Sequence, residues 1–160
     1  MSEIKNKVTL NIVLVFSIFV LVVAYFIEYL LKHEPCNLCL IERIPYIISI
    51  IIISICLLLK KFEKIIFMLL TLIFIAGTAI SFYHFGIEKG FFEESFLCNL
   101  SNEINILTRE DLLKELQKKI ISCKNVDFTI FGLSLASINT IVSIILSTIS
   151  FKKYLNYEKN

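Results

Sequence analysis

The sequence predicts an all-α integral membrane protein, built as a four-helix bundle with two non-cytoplasmic loops. Three observations predict it. Hydrophobic residues make up 57% of the 160-residue chain, and the mean hydropathy is +0.80. These residues are gathered in four long stretches, with the charged residues mainly between them. No stretch shows the strict alternation of apolar and polar residues that marks a membrane β-strand.

The four stretches form one membrane domain, 1–160, with spans at about 8–31, 44–59, 65–87 and 126–151. A helix needs about 20 mostly apolar residues to cross the hydrocarbon core. The second stretch has only 16 residues, so its span must include flanking residues or cross where the bilayer is thin. The first lacks a small-residue cleavage site, which predicts a retained anchor and not a signal peptide.

Composition also excludes other classes of protein. Four helices that are apolar all round leave no polar face for water, which argues against a soluble bundle. High hydrophobicity excludes a disordered chain. Sixteen basic against 14 acidic residues leave a net charge of +2 and no basic stripe, so no nucleic-acid partner is expected. The expected surroundings are a lipid bilayer.

Basic residues predict the orientation of the spans. The flanks 1–7, 60–64 and 152–160 carry eight Lys in 21 positions, whereas the loops 32–43 and 88–125 carry eight basic residues in 50. Short cytoplasmic flanks are the ones enriched in Lys and Arg. Both termini are therefore expected in the cytoplasm, and the two loops together on the other side.

Four of the five cysteines fall in these two outer loops. Cys36 and Cys39 lie in the first loop and Cys98 and Cys123 in the second, on the side where disulfides form and persist. Four cysteines allow three pairings. Cys36–Cys39 with Cys98–Cys123 is favoured, because a Cys-x-x-Cys pair closes locally. Cys56 lies inside the second span and is predicted to be a small core side chain.

Three chemistries fit this pattern. A Cys-x-x-Cys disulfide closes a very small loop and removes little unfolded-state entropy, so it is more often redox-active than stabilising. Two structural disulfides are the second possibility. A zinc site is the third, but structural zinc favours two Cys-x-x-Cys pairs. Here 24 residues separate Cys98 from Cys123, which argues against it.

The residues around the first pair favour a reactive thiol. Pro45 suits the first turn of the second span, which places Cys39 within about a turn of the positive helix N-terminus. Arg43 follows Cys39 by four residues and shares a helix face with it if the helix reaches back that far. A helix N-terminus and a cation both stabilise a thiolate. The alternative for Arg43 is an interfacial side chain paired with Glu42.

The motif at 35–46, Pro-Cys-x-x-Cys-x-x-Glu-Arg-x-Pro-Tyr, resembles the disulfide bond formation protein B (DsbB) family. The similarity covers nearly the whole chain, including Tyr-His-Phe-Gly-Ile-Glu at 83–88, Phe-Gly-Leu-Ser-Leu at 131–135 and Asn139. Two features depart from the family pattern. Lys124 stands where the family often has an acid, and the chain has no Trp.

The resemblance implies a bacterial inner-membrane enzyme, a protein dithiol:quinone oxidoreductase with its cysteine loops in the periplasm. A DsbA-like thioredoxin-fold oxidase would be the thiol partner, with Cys98 forming the mixed disulfide with it. Electrons would pass from Cys98–Cys123 to Cys36–Cys39 and then to a membrane quinone, either ubiquinone or menaquinone. Arg43 is implied near the quinone, with His84 as a second candidate. No metal is implied.

Two further expectations concern the second loop and the function. Thr108 and Asp111 resemble a helix N-cap, and apolar residues with helical spacing follow, which predicts a short amphipathic helix ending near Cys123. It would lie on the membrane surface or pack on the end of the bundle. The alternative function is a non-catalytic membrane scaffold stapled by two disulfides.

Overall fold

The computed structural model describes residues 2–33, 35–59, 63–93, 98, 123, 129–130 and 132–158. The elements in chain order are α1 (Ser2–Tyr29), α2 (Asn37–Ile41), α3 (Ile44–Leu59), α4 (Glu63–Glu88), β1 (Thr129–Ile130), β2 (Leu133–Ser134) and α5 (Leu135–Glu158). The amphipathic helix predicted in the second loop lies outside the described residues.

Within the described residues, four helical segments are long and apolar enough to cross a membrane: Asn6–Tyr29, Asn37–Leu59, Glu63–Glu88 and Leu135–Asn156. This confirms the all-α, four-span prediction. Between 22% and 39% of each apolar window is buried within the protein, so most of its apolar surface faces outward. A helix that is apolar on every side and only partly covered by protein is suited to lipid.

The second span is long enough to cross a membrane because it includes the residues N-terminal to α3. α3 has only 16 residues, Ile44–Leu59, but α2 precedes it with a short turn between them, and together they give a 23-residue candidate span. The Cys-x-x-Cys motif is therefore joined directly to the end of a span. Cys39 lies within α2, and Arg43 lies in the turn between α2 and α3.

The helices pack as two pairs that are joined by α3. α4 runs along α5, α1 packs against α3, and α3 also contacts α4. The central apolar core contains Cys56, which packs in it at 2% exposure, as predicted. Its buried members are Leu10, Val13, Tyr46, Ile53, Cys56, Ile66, Phe67, Leu70, Phe74 and Leu146.

A close approach at Gly77 positions the start of α3 against α4. A Cβ atom at Gly77 would lie 3.2 Å from Cγ of Pro45 and 3.6 Å from Oγ of Ser143. The missing side chain thus lets the first turn of α3 enter the space between α4 and α5. Pro45 occupies that first turn, where its missing N–H leaves no hydrogen bond unmade.

The fourth helix begins later than the apolar stretch that starts near residue 126. β1 and β2 form an antiparallel hairpin, with Thr129 opposite Ser134, and α5 starts only at Leu135. Gly132 has a φ of +80°, a conformation that glycine adopts without steric cost. Oγ of Ser134 then accepts a hydrogen bond from the backbone N–H of Ser137, at 3.2 Å, and so caps the new helix.

Candidate functional site

The four loop cysteines meet at one end of the bundle. Cys36, Cys98 and Cys123 are buried in one cluster with Leu38 and Ile87, and the half-buried Cys39 packs against it. We call the four cysteines the sulfur cluster. None of them is bridged in the structure. The sequence predicts that the two loops lie on the same side of the membrane. The clustering of their cysteines at one end of the bundle is consistent with this prediction.

Within the sulfur cluster, Cys36 has the central position. Its Sγ lies 2.8 Å from Sγ of Cys39, and its side chain also hydrogen-bonds with that of Cys123. Cys123 in turn hydrogen-bonds with Cys98. The four side chains therefore form a line of contacts in the order Cys98, Cys123, Cys36, Cys39.

Local backbone structure sets the geometry of the first pair. Cys36 is the N-cap of α2, with an extended backbone, and its Sγ accepts a hydrogen bond from the backbone N–H of Cys39 at 3.4 Å. One helical turn thus brings the two thiols of a Cys-x-x-Cys motif to the same place. Asn37 lies between them and donates a hydrogen bond of 2.8 Å to the carbonyl oxygen of Cys98, which attaches the second loop to the first.

The hydrogen bonds within the sulfur cluster shift the pKa values of Cys36 and Cys123 in opposite directions. Bonds from the Cys123 and Cys39 thiols, and a further contact with His84, hold the pKa of Cys36 well below its usual range, against the opposing effect of burial. The same bond to Cys36, together with burial, raises the pKa of Cys123. These opposite shifts favour the thiolate form at Cys36 and the thiol form at Cys123.

His84, on α4, contacts the sulfur cluster directly. Its Nε2 atom lies 3.5 Å from Sγ of Cys36, and its Nδ1 atom lies 2.7 Å from Oε1 of Glu42. The ring is only 3% exposed. The family resemblance implied His84 as a second candidate for the quinone site; its imidazole is buried between a carboxylate and a thiol.

Glu42 and Asn139 extend this contact into a buried polar network. Nδ2 of Asn139 donates to Oε2 of Glu42 at 2.8 Å and to Oγ of Ser81 at 2.7 Å. Oδ1 of Asn139 accepts from the hydroxyl of Tyr46 at 2.5 Å. The network joins the start of α3 to α4 and α5. A buried polar group is costly unless it is hydrogen-bonded, and here both oxygens of Glu42 have donors.

Arg43 turns toward α1 and not toward Glu42. Its Nη1 atom forms an ion pair with Oε2 of Glu28 at 2.5 Å, and its guanidinium lies over the ring of Tyr25, 4.9 Å from the centroid. The Arg43 and Glu28 side chains are 12% and 21% exposed. The cation is thus fixed at the rim of the cysteine end of the bundle, beside an aromatic face.

Cys36, Cys39 and His84 are also close enough to be considered as metal ligands, since their ligating atoms lie within 4.8 Å of one another. Zn–S bonds of about 2.3 Å in a tetrahedral site keep two ligand sulfurs about 3.8 Å apart. The Cys36 and Cys39 sulfurs are closer than this. The observed spacing is shorter than that of two zinc ligands.

The structure brings most of the predicted site residues together. Cys36, Cys39, Cys98, Cys123 and His84 share one site, and Arg43 lies nearby on the same α2–α3 segment. Sequence reasoning missed the partners of Arg43 and His84. It assigned no role to Glu28 or Glu88, although Glu28 binds Arg43 and Glu88 approaches His84. Acidic residues at the edges of apolar stretches were the available signal.

Comparison with known proteins gives one family and one relative. The model of a family described as "Disulfide bond formation protein DsbB" matches residues 6–152. An uncharacterized protein, RP370, from Rickettsia prowazekii (strain Madrid E) is 30% identical over 140 residues, which cover 86% of this chain and 81% of the relative. No solved structure matches the chain significantly.

Proposed function

Because this chain belongs to the DsbB family, we propose that it is a membrane thiol:quinone oxidoreductase. It reoxidises a periplasmic DsbA-like dithiol oxidase and passes the electrons to a membrane quinone, which sustains disulfide bond formation. The family and the four apolar helices make the chain a multi-pass membrane protein of disulfide formation. The observation that carries the finer proposal is the line of contacts from Cys98 through Cys123 and Cys36 to Cys39.

Thiol–disulfide exchange requires contact between the attacking and the attacked sulfur. A thiolate of the partner attacks Cys98 of the Cys98–Cys123 disulfide, and Cys123 leaves as a thiolate. Cys123 then attacks Cys36 of the Cys36–Cys39 disulfide, and Cys39 leaves. Each step joins neighbours in the observed line, so no cysteine has to cross the protein between steps.

The rim residues suit a quinone, which accepts two electrons and two protons when it is bound and reduced. Arg43 offers guanidinium N–H donors beside the aromatic face of Tyr25, and quinone oxygens accept hydrogen bonds. Leu40 and Ile44 expose apolar side chains on the same segment. Arg43 thus holds and orients the quinone, while Cys39 is the thiol that faces it. The protein supplies orientation and electrostatics.

The proposal includes an orientation in the membrane. The cysteine end faces the periplasm, where the thiol partner is found, and both termini face the cytoplasm. The support is the density of Lys in the short flanks 1–7, 60–64 and 152–160. The inner membrane of a bacterium is the location that this arrangement requires, since it offers both a periplasmic face and a quinone pool.

The test uses the purified full chain in detergent, a soluble quinone analogue and a reduced DsbA-like partner, with quinone absorbance as the measurement. Cys39→Ser is expected to lower quinone reduction by at least about a thousandfold, because no other thiol replaces the nucleophile. Cys98→Ser is expected to block oxidation of the partner. It leaves quinone reduction intact when dithiothreitol, which can reach Cys36–Cys39, is the reductant.

Cys56→Ser is the matched control, since Cys56 lies in the central core away from the sulfur cluster. Its turnover is expected to stay within about twofold of that of the unchanged protein, because Cys56 contacts none of the reacting sulfurs and its loss leaves the transition-state contacts intact. Full turnover by Cys39→Ser and Cys98→Ser would contradict the electron route. Absence of quinone-dependent oxidation of the partner, with both pairs resistant to glutathione, would favour the stapled scaffold instead.

A further inference from the structure

We propose that His84 is a catalytic residue that stabilises Cys36 as a thiolate when this sulfur leaves its disulfide with Cys123, and that Glu42 and Asn139 are positioning residues that hold the imidazole. The proposal rests on the proposed function for the reaction in which this disulfide arises. It assigns to His84 a role on sulfur chemistry that is distinct from contact with the quinone.

The contacts of His84 suit a charged imidazole when Cys36 is a thiolate. Nε2 faces Sγ of Cys36 at 3.5 Å, and Nδ1 faces Oε1 of Glu42 at 2.7 Å. A thiolate and a carboxylate are both acceptors, and an imidazole donates from both nitrogens only when it is protonated. With its ring 3% exposed, His84 has little water to screen its charge, so its effect on Cys36 is stronger than at a surface.

The network behind His84 fixes the ring in this orientation. Glu42 uses one oxygen for His84 and the other for Nδ2 of Asn139. Asn139 is itself held by Tyr46 and Ser81. Glu42 is therefore anchored from α5 and α4, and its carboxylate cannot turn away from the imidazole without breaking several buried hydrogen bonds. Such outer partners commonly set the orientation and basicity of a functional histidine.

Other charged groups near His84 are accounted for. Glu88, one turn along α4, places Oε1 3.9 Å from Nε2, and its Oε2 is buried without a partner among the described residues. Cys39 contacts Cys36 from α2. From β2 and α5, Ser134 hydrogen-bonds with Glu88 and Asn139 with Glu42, and neither Ser134 nor Asn139 is charged. The Arg43 cation is paired with Glu28 on α1.

The reaction step is an exchange without net oxidation. After the partner has been released, the Cys98 thiolate attacks Sγ of Cys123 in the Cys36–Cys123 disulfide. The Cys98–Cys123 bond forms, the Cys36–Cys123 bond breaks, and the electron pair leaves on Sγ of Cys36. A thiol of lower pKa is a better leaving group, so the cation at 3.5 Å accelerates this step and directs departure to Cys36.

The test measures the Cys36 thiolate directly, with no quinone and no thiol partner present. The full chain is reduced in detergent, the reductant is removed, and iodoacetamide is added at a series of pH values. Tandem mass spectrometry then gives the extent of alkylation at Cys36. His84→Gln keeps hydrogen-bonding capacity but no charge. It is expected to move the alkylation midpoint upward by at least about one pH unit, a tenfold slower reaction at acidic pH.

Glu42→Gln carries the same test if His84→Gln fails to fold, and is expected to give a smaller shift in the same direction. Glu63→Gln is the matched control, because Glu63 lies at the other end of α4 from His84. In turnover, His84→Gln is also expected to accumulate the Cys36–Cys123 disulfide on non-reducing peptide maps. The proposal is overturned if His84→Gln leaves the midpoint within about 0.3 pH unit of the unchanged protein.

These outcomes are separate from those of the proposed function. If the unchanged protein reduces no quinone but His84→Gln shifts the alkylation midpoint, the His84 proposal stands and the thiol:quinone proposal is wrong. If the His84→Gln variant turns over normally and its alkylation midpoint is unshifted, the thiol:quinone proposal stands and the proposed role of His84 is wrong.

Discussion

Two buried cysteines of this chain lie in opposite surroundings. Cys56 is 2% exposed and packs with Ile53, Phe67 and Leu70 in the central core. Cys36 is 7% exposed, but it contacts two thiols and an imidazole at the cysteine end of the bundle. Burial is almost equal, so it does not decide the chemistry of a cysteine. The polar neighbours that accompany burial decide it.

The largest effect that would sharpen this comparison is expected at Arg43. Arg43→Met keeps much of the apolar length of the side chain and removes the charge-assisted hydrogen bond proposed for the quinone, which is worth about 1.5–3 kcal/mol. The KM for the soluble quinone is expected to rise about tenfold to a hundredfold, with a smaller change in kcat. Initial rates over a range of quinone concentrations measure it.

Lys64→Met is the matched control for Arg43, because Lys64 also lies over a tyrosine ring, that of Tyr154, 5.6 Å from the centroid. Lys64 lies at the opposite end of α4 from His84, which contacts the sulfur cluster. Its quinone KM is expected to stay within about twofold. Equal changes in the two variants would show that Arg43 acts through general stability and not through the quinone.

A smaller effect is expected when the polar network is broken at Tyr46. Tyr46→Phe removes the donor to Oδ1 of Asn139 and leaves this buried oxygen without its partner, which costs about 1–3 kcal/mol. The free energy of unfolding in mixed micelles is expected to fall by that amount. Quinone KM is expected to change little, because the Tyr46 hydroxyl bonds to Asn139 and Ser143 and not to the sulfurs or the Arg43 side chain.

The control for Tyr46 is Tyr154→Phe, which keeps the ring beside Lys64 and removes only a hydroxyl outside the network. It is expected to change the unfolding free energy by less than about 0.5 kcal/mol. If Tyr46→Phe were equally mild, the hydrogen bond to Asn139 would contribute nothing to holding the three helices together.

The smallest effect is expected at Cys56, and it is the direct test of the comparison. Cys56→Ala removes one buried sulfur from the core and is expected to cost about 1 kcal/mol of unfolding free energy, with no change in kcat or KM. Chemical unfolding and quinone assays on the same sample measure both. A loss of turnover would mean that the central cysteine takes part in electron transfer.

The helical architecture could be predicted from the sequence because it follows from local properties. Apolar runs of sufficient length appear in the residue order, and so does the shortness of the second run. The start of α5 could not be placed in the same way. Residues 126–131 are largely apolar, but a hairpin at Gly132 and the cap at Ser134 compete locally with a helix.

The site could be predicted only where its signals are close in sequence. Cys36, Cys39 and Arg43 lie within eight positions and could be interpreted together. The pairs Glu42–His84, Glu42–Asn139 and Glu28–Arg43 join different helices, so their formation depends on how the bundle packs. Hydropathy predicts that helices pack, but it does not predict which faces meet or which of several acids a given cation selects.

The hydrogen bond from Asn37 to the carbonyl of Cys98 has a kinetic consequence. In the proposed electron route, it tethers the segment that receives electrons from the thiol partner to the segment that passes them on to the quinone. A reaction between tethered groups proceeds at an effective concentration that free molecules do not reach. Under the proposed route, exchange between the two loops is then expected to outpace a second encounter with a diffusing thiol, so an accepted electron pair would move on toward the quinone.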